Sequence, residues 1–200
     1  FSEALTKREF QRAVSDPCVF FKHSKGKLQG MLILHVDDVV FAGTEKFRSE
    51  VRDLLAQYKV ETIKEISEAK QDYVGLQVWM DKDFTYHASQ TKYAQMLEKV
   101  PVAKGRKVEE KLTEKDISAA RSVLGALAWM SSQTVPGLAV FVSATVGRLA
   151  EPENPVVRIL KDINSVVDYI QDNAEKLILT FGRIAEPSET EFAVVAFCDA

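Results

Sequence analysis

The chain has 200 residues, 46% hydrophobic and 28% charged, with a formal net charge of -3, which is the composition of an ordinary folded domain and excludes a disordered or collagen-like chain. No apolar run approaches the roughly 18 residues of a membrane span, and the first residues lack the basic, apolar, small-residue order of a secretory leader; a cytoplasmic or nuclear protein that is not secreted and meets no membrane is expected. Cys18 and Cys198 match no metal-ligand or redox spacing, and the slightly acidic total requires any nucleic-acid contact to follow a local basic track.

In chain order, residues 1–14 read as the tail of a helix with Leu5, Phe10 and Val14 loosely periodic, ended by the Ser15-Asp16-Pro17 turn signal. A strand over Cys18–Lys22 follows, then a polar turn, Ser24 to Lys27. From Leu28 to Gly43 the chain is almost continuously apolar apart from His35, Asp37 and Asp38, a pattern that suits strands buried on both faces. Strands average about 5 to 6 residues, so the run is split into a hairpin of 31–36 and 39–42 with the acids at its tip. Thr44 is placed to cap a helix whose buried stripe is Phe47, Val51, Leu54, Leu55 and Tyr58.

Residues 72–80 predict one strand, and Asp81-Lys82-Asp83 a turn into a second strand over 84–87. Ser89 is expected to cap a helix with Tyr93, Met96, Leu97 and Val100 inward, stopped by Pro101. The Lys- and Glu-rich stretch 101–115 has no apolar period and reads as a solvated loop. Three helices are predicted next, over 116–132, 138–149 and 156–171, with stripes such as Leu160, Ile163, Val167 and Ile170 that pack them as a small bundle. A strand over 176–181, a polar linker over 182–190 and a strand over 191–197 ending near Asp199 complete the reading. Trp79 and Trp129 are read as core aromatics, and Gly75 as a bulge or close-packing glycine unless it has a functional role. The residue at position 1 is Phe1 and the chain stops in an apolar run at Ala200, so both ends are expected to be cuts in a longer protein.

The candidate chemistry lies at Asp37 and Asp38. Two unit charges about 4 Å apart repel by roughly 4 kcal/mol at an effective dielectric near 20, so adjacent carboxylates among apolar strand residues ask for a counter-charge. Hard oxygen ligands suit Mg²⁺, and a pair of such ions is the apparatus of nucleotidyl transfer. The same dipeptide is also ordinary solvated turn chemistry.

The segments SDPCVFFK (15–22), GMLILHVDDVVFAG (30–43), YVGLQVWMDKDFTYHASQTKYAQML (73–97), ARSVLGALAWMSSQTVPGLAVFVSATVGRLAEP (120–152) and VVAFCDA (194–200) resemble, in order, the reverse transcriptase of copia-type LTR retrotransposons running into its RNase H. The resemblance implies an α+β fold: the C-terminal half of a polymerase palm with an antiparallel sheet (1–72), a primer-grip hairpin and the start of the thumb (73–100), a charged loop (101–115), a helical thumb and connection region (116–181), a linker (182–190) and the first, truncated RNase H strand (191–200). It implies that Asp37 and Asp38, in HVDD where the family has Tyr-x-Asp-Asp, are two of three palm carboxylates holding Mg²⁺, with Mn²⁺ as substitute, and that Asp199 is the first RNase H metal ligand. His35, Val36, Tyr73, Gly75, Gln90 and Lys92 would meet nucleic acid, the last as a sequence-blind phosphate contact.

The partners implied are an RNA/DNA template-primer duplex, deoxynucleotides in the intact parent, and the remainder of the pol polyprotein, in a cytoplasmic virus-like particle or the nucleus. The chain departs from the family at His35 for Tyr, at Thr134-Val135-Pro136-Gly137 for Thr-Arg-Pro-Asp, and at Asn164-Ser165 for Lys-Arg. The third palm carboxylate and the nucleotide-binding segment are missing from it, so the intact parent would be an RNA-directed DNA polymerase while this fragment is expected to be inactive alone. A non-catalytic remnant that binds nucleic acid or protein is the alternative.

Overall fold

A computed structural model of the chain describes residues 1–36, 38–58, 60, 63–151 and 155–182. The fold is α+β, with two four-stranded antiparallel sheets and six helices among the described residues. It divides into two compact units, Phe1–Glu65 and Ile66–Ala200. The expected linker over 182–190, the strand over 191–197 and Asp199 fall outside the described residues except for Gly182.

In the first unit, α1 (Ser2–Lys7) is shorter than the helix expected over 1–14. Glu9 takes a left-handed φ of 64°, which turns the chain back so that Phe10 enters the core and β1 (Gln11–Arg12) pairs with β2 (Val19–Ser24); Val14 is fully exposed instead of continuing a helical stripe. The expected turn at Asp16 forms, with the Cys18 N–H donating to its carboxylate at 2.8 Å. Strand β3 (Lys27–His35) lies between β2 and β4 (Asp38–Gly43), giving the order β1-β2-β3-β4. The β2–β3 turn holds Lys25 and Gly26 at φ 50° and 75°, the two left-handed residues of a tight hairpin.

Only one face of this sheet is covered by its own unit. Phe20, Leu32 and the half-buried Leu34, Val39 and Phe41 pack on Phe47, Val51, Leu54 and Leu55 of α2 (Glu45–Ala56), while Met31 on the opposite face is exposed. The expectation of burial on both faces fails because the apolar run feeds both sides of the pleat, and the unit supplies a helix to one. Thr44 caps α2 by accepting the Phe47 N–H. Phe47 lies on the paired Gly30 and Gly43, where an added Cβ would come within 2.4 Å of the ring or of the Gln29 carbonyl. Tyr58, expected in the helical stripe, lies beyond the helix and stacks edge-on to Phe1.

In the second unit the order is β5-β6-β7-β8. The single strand expected over 72–80 is a hairpin of β5 (Gln71–Tyr73) and β6 (Leu76–Met80). Its turn is Val74 and Gly75 at φ 47° and 76°; a Cβ on Gly75 would meet nothing within 4 Å, so this glycine serves backbone conformation and not close packing. Strand β7 (Tyr86–Ser89) includes Ser89, so the expected cap residue ends a strand, and Gln90 precedes the short α3 (Thr91–Gln95) without a side-chain cap. Strand β8 (Ile178–Phe181) returns from the far end of the unit to pair with β7.

Three longer helices build the larger core. Helix α4 (Glu114–Gln133) starts with a capping box between Thr113 and Asp116, α5 (Leu138–Ala150) follows a short turn, and α6 (Val157–Asp172) buries Leu160, Ile163, Val167 and Ile170 completely. Ala94, Leu97 and Val100 join this core, whereas Met96 is 78% exposed. Trp129 is also exposed, since it sits about 200° around α4 from the buried Leu127.

Candidate active-site hairpin

The β3–β4 hairpin is fixed by its register. Leu32 pairs with Phe41 and Leu34 with Val39, and both pairs include residues of the Phe47 core; a one-residue slip would turn that set to the other face. The last pair is therefore His35 opposite Asp38, and the chain turns at Val36 between them. His35 and Asp38 share the face not covered by α2 and are exposed. Val36 is 82% exposed and has φ 53°. A β-branched residue in the left-handed region costs of order 1–3 kcal/mol, and such strain collects at functional sites. Asp37, the other half of the candidate pair, lies outside the described residues.

Asp38 presents a hard oxygen donor of the kind Mg²⁺ takes, on a backbone anchored at its other end by the Gly30–Gly43 pair beneath Phe47. Among the described residues no cluster of three or more His, Cys, Asp or Glu side chains has the arrangement of a metal site. Asp38 thus fits a metal as one ligand, with Asp37 its neighbour in sequence, and a complete coordination shell needs donors from elsewhere.

Four candidates lie in the second unit. Tyr73 and Leu76 flank the Val74-Gly75 tip. Tyr73 is near enough to Tyr86 that burial, with the Tyr73 phenol adding to it, raises the Tyr86 hydroxyl above its ordinary pKa. Lys92 forms an exposed ion pair with Asp72 at 2.7 Å, next to Tyr73 in β5, and the Lys92 N–H donates to the Gln77 side-chain oxygen at 3.3 Å. This brings the β5–β6 hairpin and the start of α3 together. Gln90 differs: it is 2% exposed, accepts the Thr134 hydroxyl at 2.9 Å, and has an amide nitrogen without a hydrogen-bond partner. Its side chain joins α3 to the end of α4 and does not reach the surface.

Sequence reasoning missed a second polar grouping on the same sheet. The His87 ring stacks on Trp79 with centroids 5.0 Å apart, its Nε2 meets the Asp81 carboxylate at 2.9 Å and its Nδ1 the Thr180 hydroxyl at 3.0 Å. Lys70 lies 4.9 Å from the Trp79 ring centroid and also pairs with Glu175. The pairing Trp79↔His87↔Thr180 across β6, β7 and β8 assembles these residues. Thr180 is far from the others in sequence, so only the β7–β8 register, invisible to local pattern, could have found it.

Comparison of the chain with protein-family models, with curated proteins and with solved structures gives no match.

Proposed function

We propose that this chain is the metal-hairpin half of a copia-type RNA-directed DNA polymerase, carrying part of the palm, a primer-grip hairpin and a helical thumb and connection region, and that it does not polymerise alone. The observation that supports this most is the tip of the β3–β4 hairpin: an acidic residue opposite His35, across two residues of which Val36 is strained, exposed and apolar. In this reading Asp37 and Asp38 hold the metal ions, and His35 and Val36 face the primer end. Bound Mg²⁺ would supply activation of the primer 3′-hydroxyl and neutralisation of the leaving pyrophosphate. The chain's own part is to hold the carboxylates rigidly, which the core-facing pairs of the hairpin favour. Among the described residues β4 is an edge strand, so a strand bearing the third carboxylate has an unpaired row of backbone groups to join.

In the second unit the β5–β6 hairpin and Lys92 would lie along the primer-template duplex, which contributes salt-dependent affinity. In this reading Asp199 would be the first metal ligand of an RNase H.

The test is template-directed primer extension in Mg²⁺ and in Mn²⁺, by the chain alone and with an added segment carrying the missing front half. The reading expects no extension alone, extension on complementation, and its loss with Asp38→Asn at unchanged thermal stability. Extension by the chain alone would refute the requirement for a third carboxylate; no extension on complementation would favour a binding remnant without chemistry.

A further inference from the structure

We propose that His35 and Asp38 form a two-residue chelate for a divalent ion that accepts imidazole, of the Zn²⁺ and Mn²⁺ class, and that the β3–β4 hairpin prefers such an ion to Mg²⁺. The inference rests on the metal-hairpin reading above and narrows its metal. The two residues are the last cross-strand pair of the hairpin. Residues directly opposite on antiparallel strands share a face with Cβ atoms about 4.5–5.5 Å apart, a separation from which an imidazole and a carboxylate can reach one ion. Their face is the one that α2 leaves uncovered, and both residues are exposed. Neither has a hydrogen bond or an ion pair among the described residues. His87, which also stands beside an aspartate, shows the contrast: its Nε2 meets the Asp81 carboxylate at 2.9 Å and its Nδ1 the Thr180 hydroxyl at 3.0 Å. Both nitrogens of that ring are occupied, whereas those of His35 are open to a ligand.

The donor pair decides the class of ion. Mg²⁺ takes oxygen ligands in near-ideal octahedral geometry and gives up its water reluctantly. Neutral imidazole is the commonest metal ligand and suits Zn²⁺ and its transition-metal neighbours. A carboxylate alone would leave the choice to whichever hard cation is abundant; the nitrogen opposite it biases the pair away from Mg²⁺. The remaining coordination positions fall to water or to a substrate oxygen, as in metal sites that keep an open position. The backbone favours the chelate. Leu34 and Val39, the preceding pair, belong to the Phe47 core, and Val36, directly after His35, is held at φ 53°. Two donors presented on a fixed register lose less freedom on binding than donors on mobile loops.

The chain has three histidines, so imidazole nitrogen–proton NMR of the full chain, titrated with Zn²⁺ in a large excess of Mg²⁺, follows each ring separately. The expected result is a saturable shift of the His35 signals at one equivalent, with those of His23 and His87 unmoved. Loss of even an outer partner of a metal ligand costs about 10- to 100-fold in affinity, so His35→Tyr and Asp38→Asn should each weaken Zn²⁺ binding by at least about tenfold. His35→Tyr should leave Mg²⁺ binding, measured by competition with Mn²⁺ in that variant, unchanged. Both positions are exposed, and an unchanged Tm checks that each variant keeps the fold. Zn²⁺ affinity that falls with Asp38→Asn and not with His35→Tyr overturns the chelate while the acidic metal hairpin stands. Affinity that ignores both substitutions, or a His23 shift that matches that of His35, overturns the chelate, and the first of these removes support from the metal-hairpin reading as well.

Discussion

The two units each carry a two-residue hairpin with a valine in the left-handed region, Val36 at φ 53° and Val74 at φ 47°, and the two tips have different surroundings. At the second tip Val74 is followed by Gly75, which takes its own left-handed φ without strain, and an ion pair between Asp72 and Lys92 ties the hairpin to α3. At the first tip the residue after Val36 is an aspartate, and the hairpin ends in the exposed pair His35 and Asp38. The same left-handed valine thus opens both turns, followed by a glycine in one and by an aspartate in the other. Backbone strain of this kind collects at functional sites, and only at the first tip does it stand beside an exposed acidic residue opposite a histidine.

The largest expected effect separates the units. Phe47 is the side chain on which Gly30 and Gly43 rest and which contacts Phe10 at a centroid distance of 5.6 Å. Phe47→Ala should cost about 3–5 kcal/mol and abolish hydrogen-exchange protection of β2, β3 and β4. If β6, β7 and α6 lose protection to the same extent, the division into two cooperative units is wrong. Gly30→Ala tests the same contact by overpacking and should cost about 1–3 kcal/mol.

The second effect belongs to the helical unit alone. Burial pushes the Asp116 carboxyl up, but the Thr113 N–H and hydroxyl and the Arg106 guanidinium at 3.0 Å together outweigh it, so the group titrates below its ordinary value. A depressed carboxylate stabilises the fold fully above the ordinary aspartate pKa near about 4, and that stability drains away as pH falls from there through the lowered value. Thr113→Ala should cost about 1 kcal/mol at pH 7. Asp116→Asn should lower Tm at pH 7, and its deficit relative to the parent should shrink below about pH 4; a deficit constant with pH would show that shape and not charge matters there.

Comparing Val36→Gly with Val74→Gly sharpens the contrast between the tips. Relief of left-handed strain, partly offset by the larger chain entropy of unfolded glycine, should raise stability by about 0.5–1 kcal/mol in each case. If complemented primer extension falls with Val36→Gly and not with Val74→Gly, the first tip's rigidity serves function. Equal activity of the two would leave Val36 as turn chemistry only.

The sequence revealed helices with clean periodicity and a cap, as with Thr44 before α2 and the stripe of α6, because both signals are local. It revealed the β3–β4 hairpin because the apolar run was too long for one strand. It misplaced Ser89 because a serine near a helix start is also compatible with the end of a strand, and it ran residues 72–80 together because Val74 is a poor turn residue. A tryptophan's size predicts burial, but Trp129 is exposed because its angular position on α4 decides. The site residues divide in the same way: His35 and Asp38 are adjacent in the pattern, whereas Gln90 reads as a surface helix start until α4 is seen to return Thr134 to it.

The smallest stability effect carries the most information about nucleic acid. Lys92 and Asp72 form an exposed pair, and such pairs contribute about 0–1 kcal/mol, so Lys92→Ala should shift Tm hardly at all. If Lys92 leaves Asp72 to meet a phosphate, the same substitution should weaken duplex binding in every sequence context and reduce the slope of log affinity against log salt by about 1. Asp72→Asn is the companion measurement: it frees the ammonium from its internal partner and should strengthen binding. A duplex affinity that responds to neither substitution would show that the ion pair is only a brace between β5 and α3.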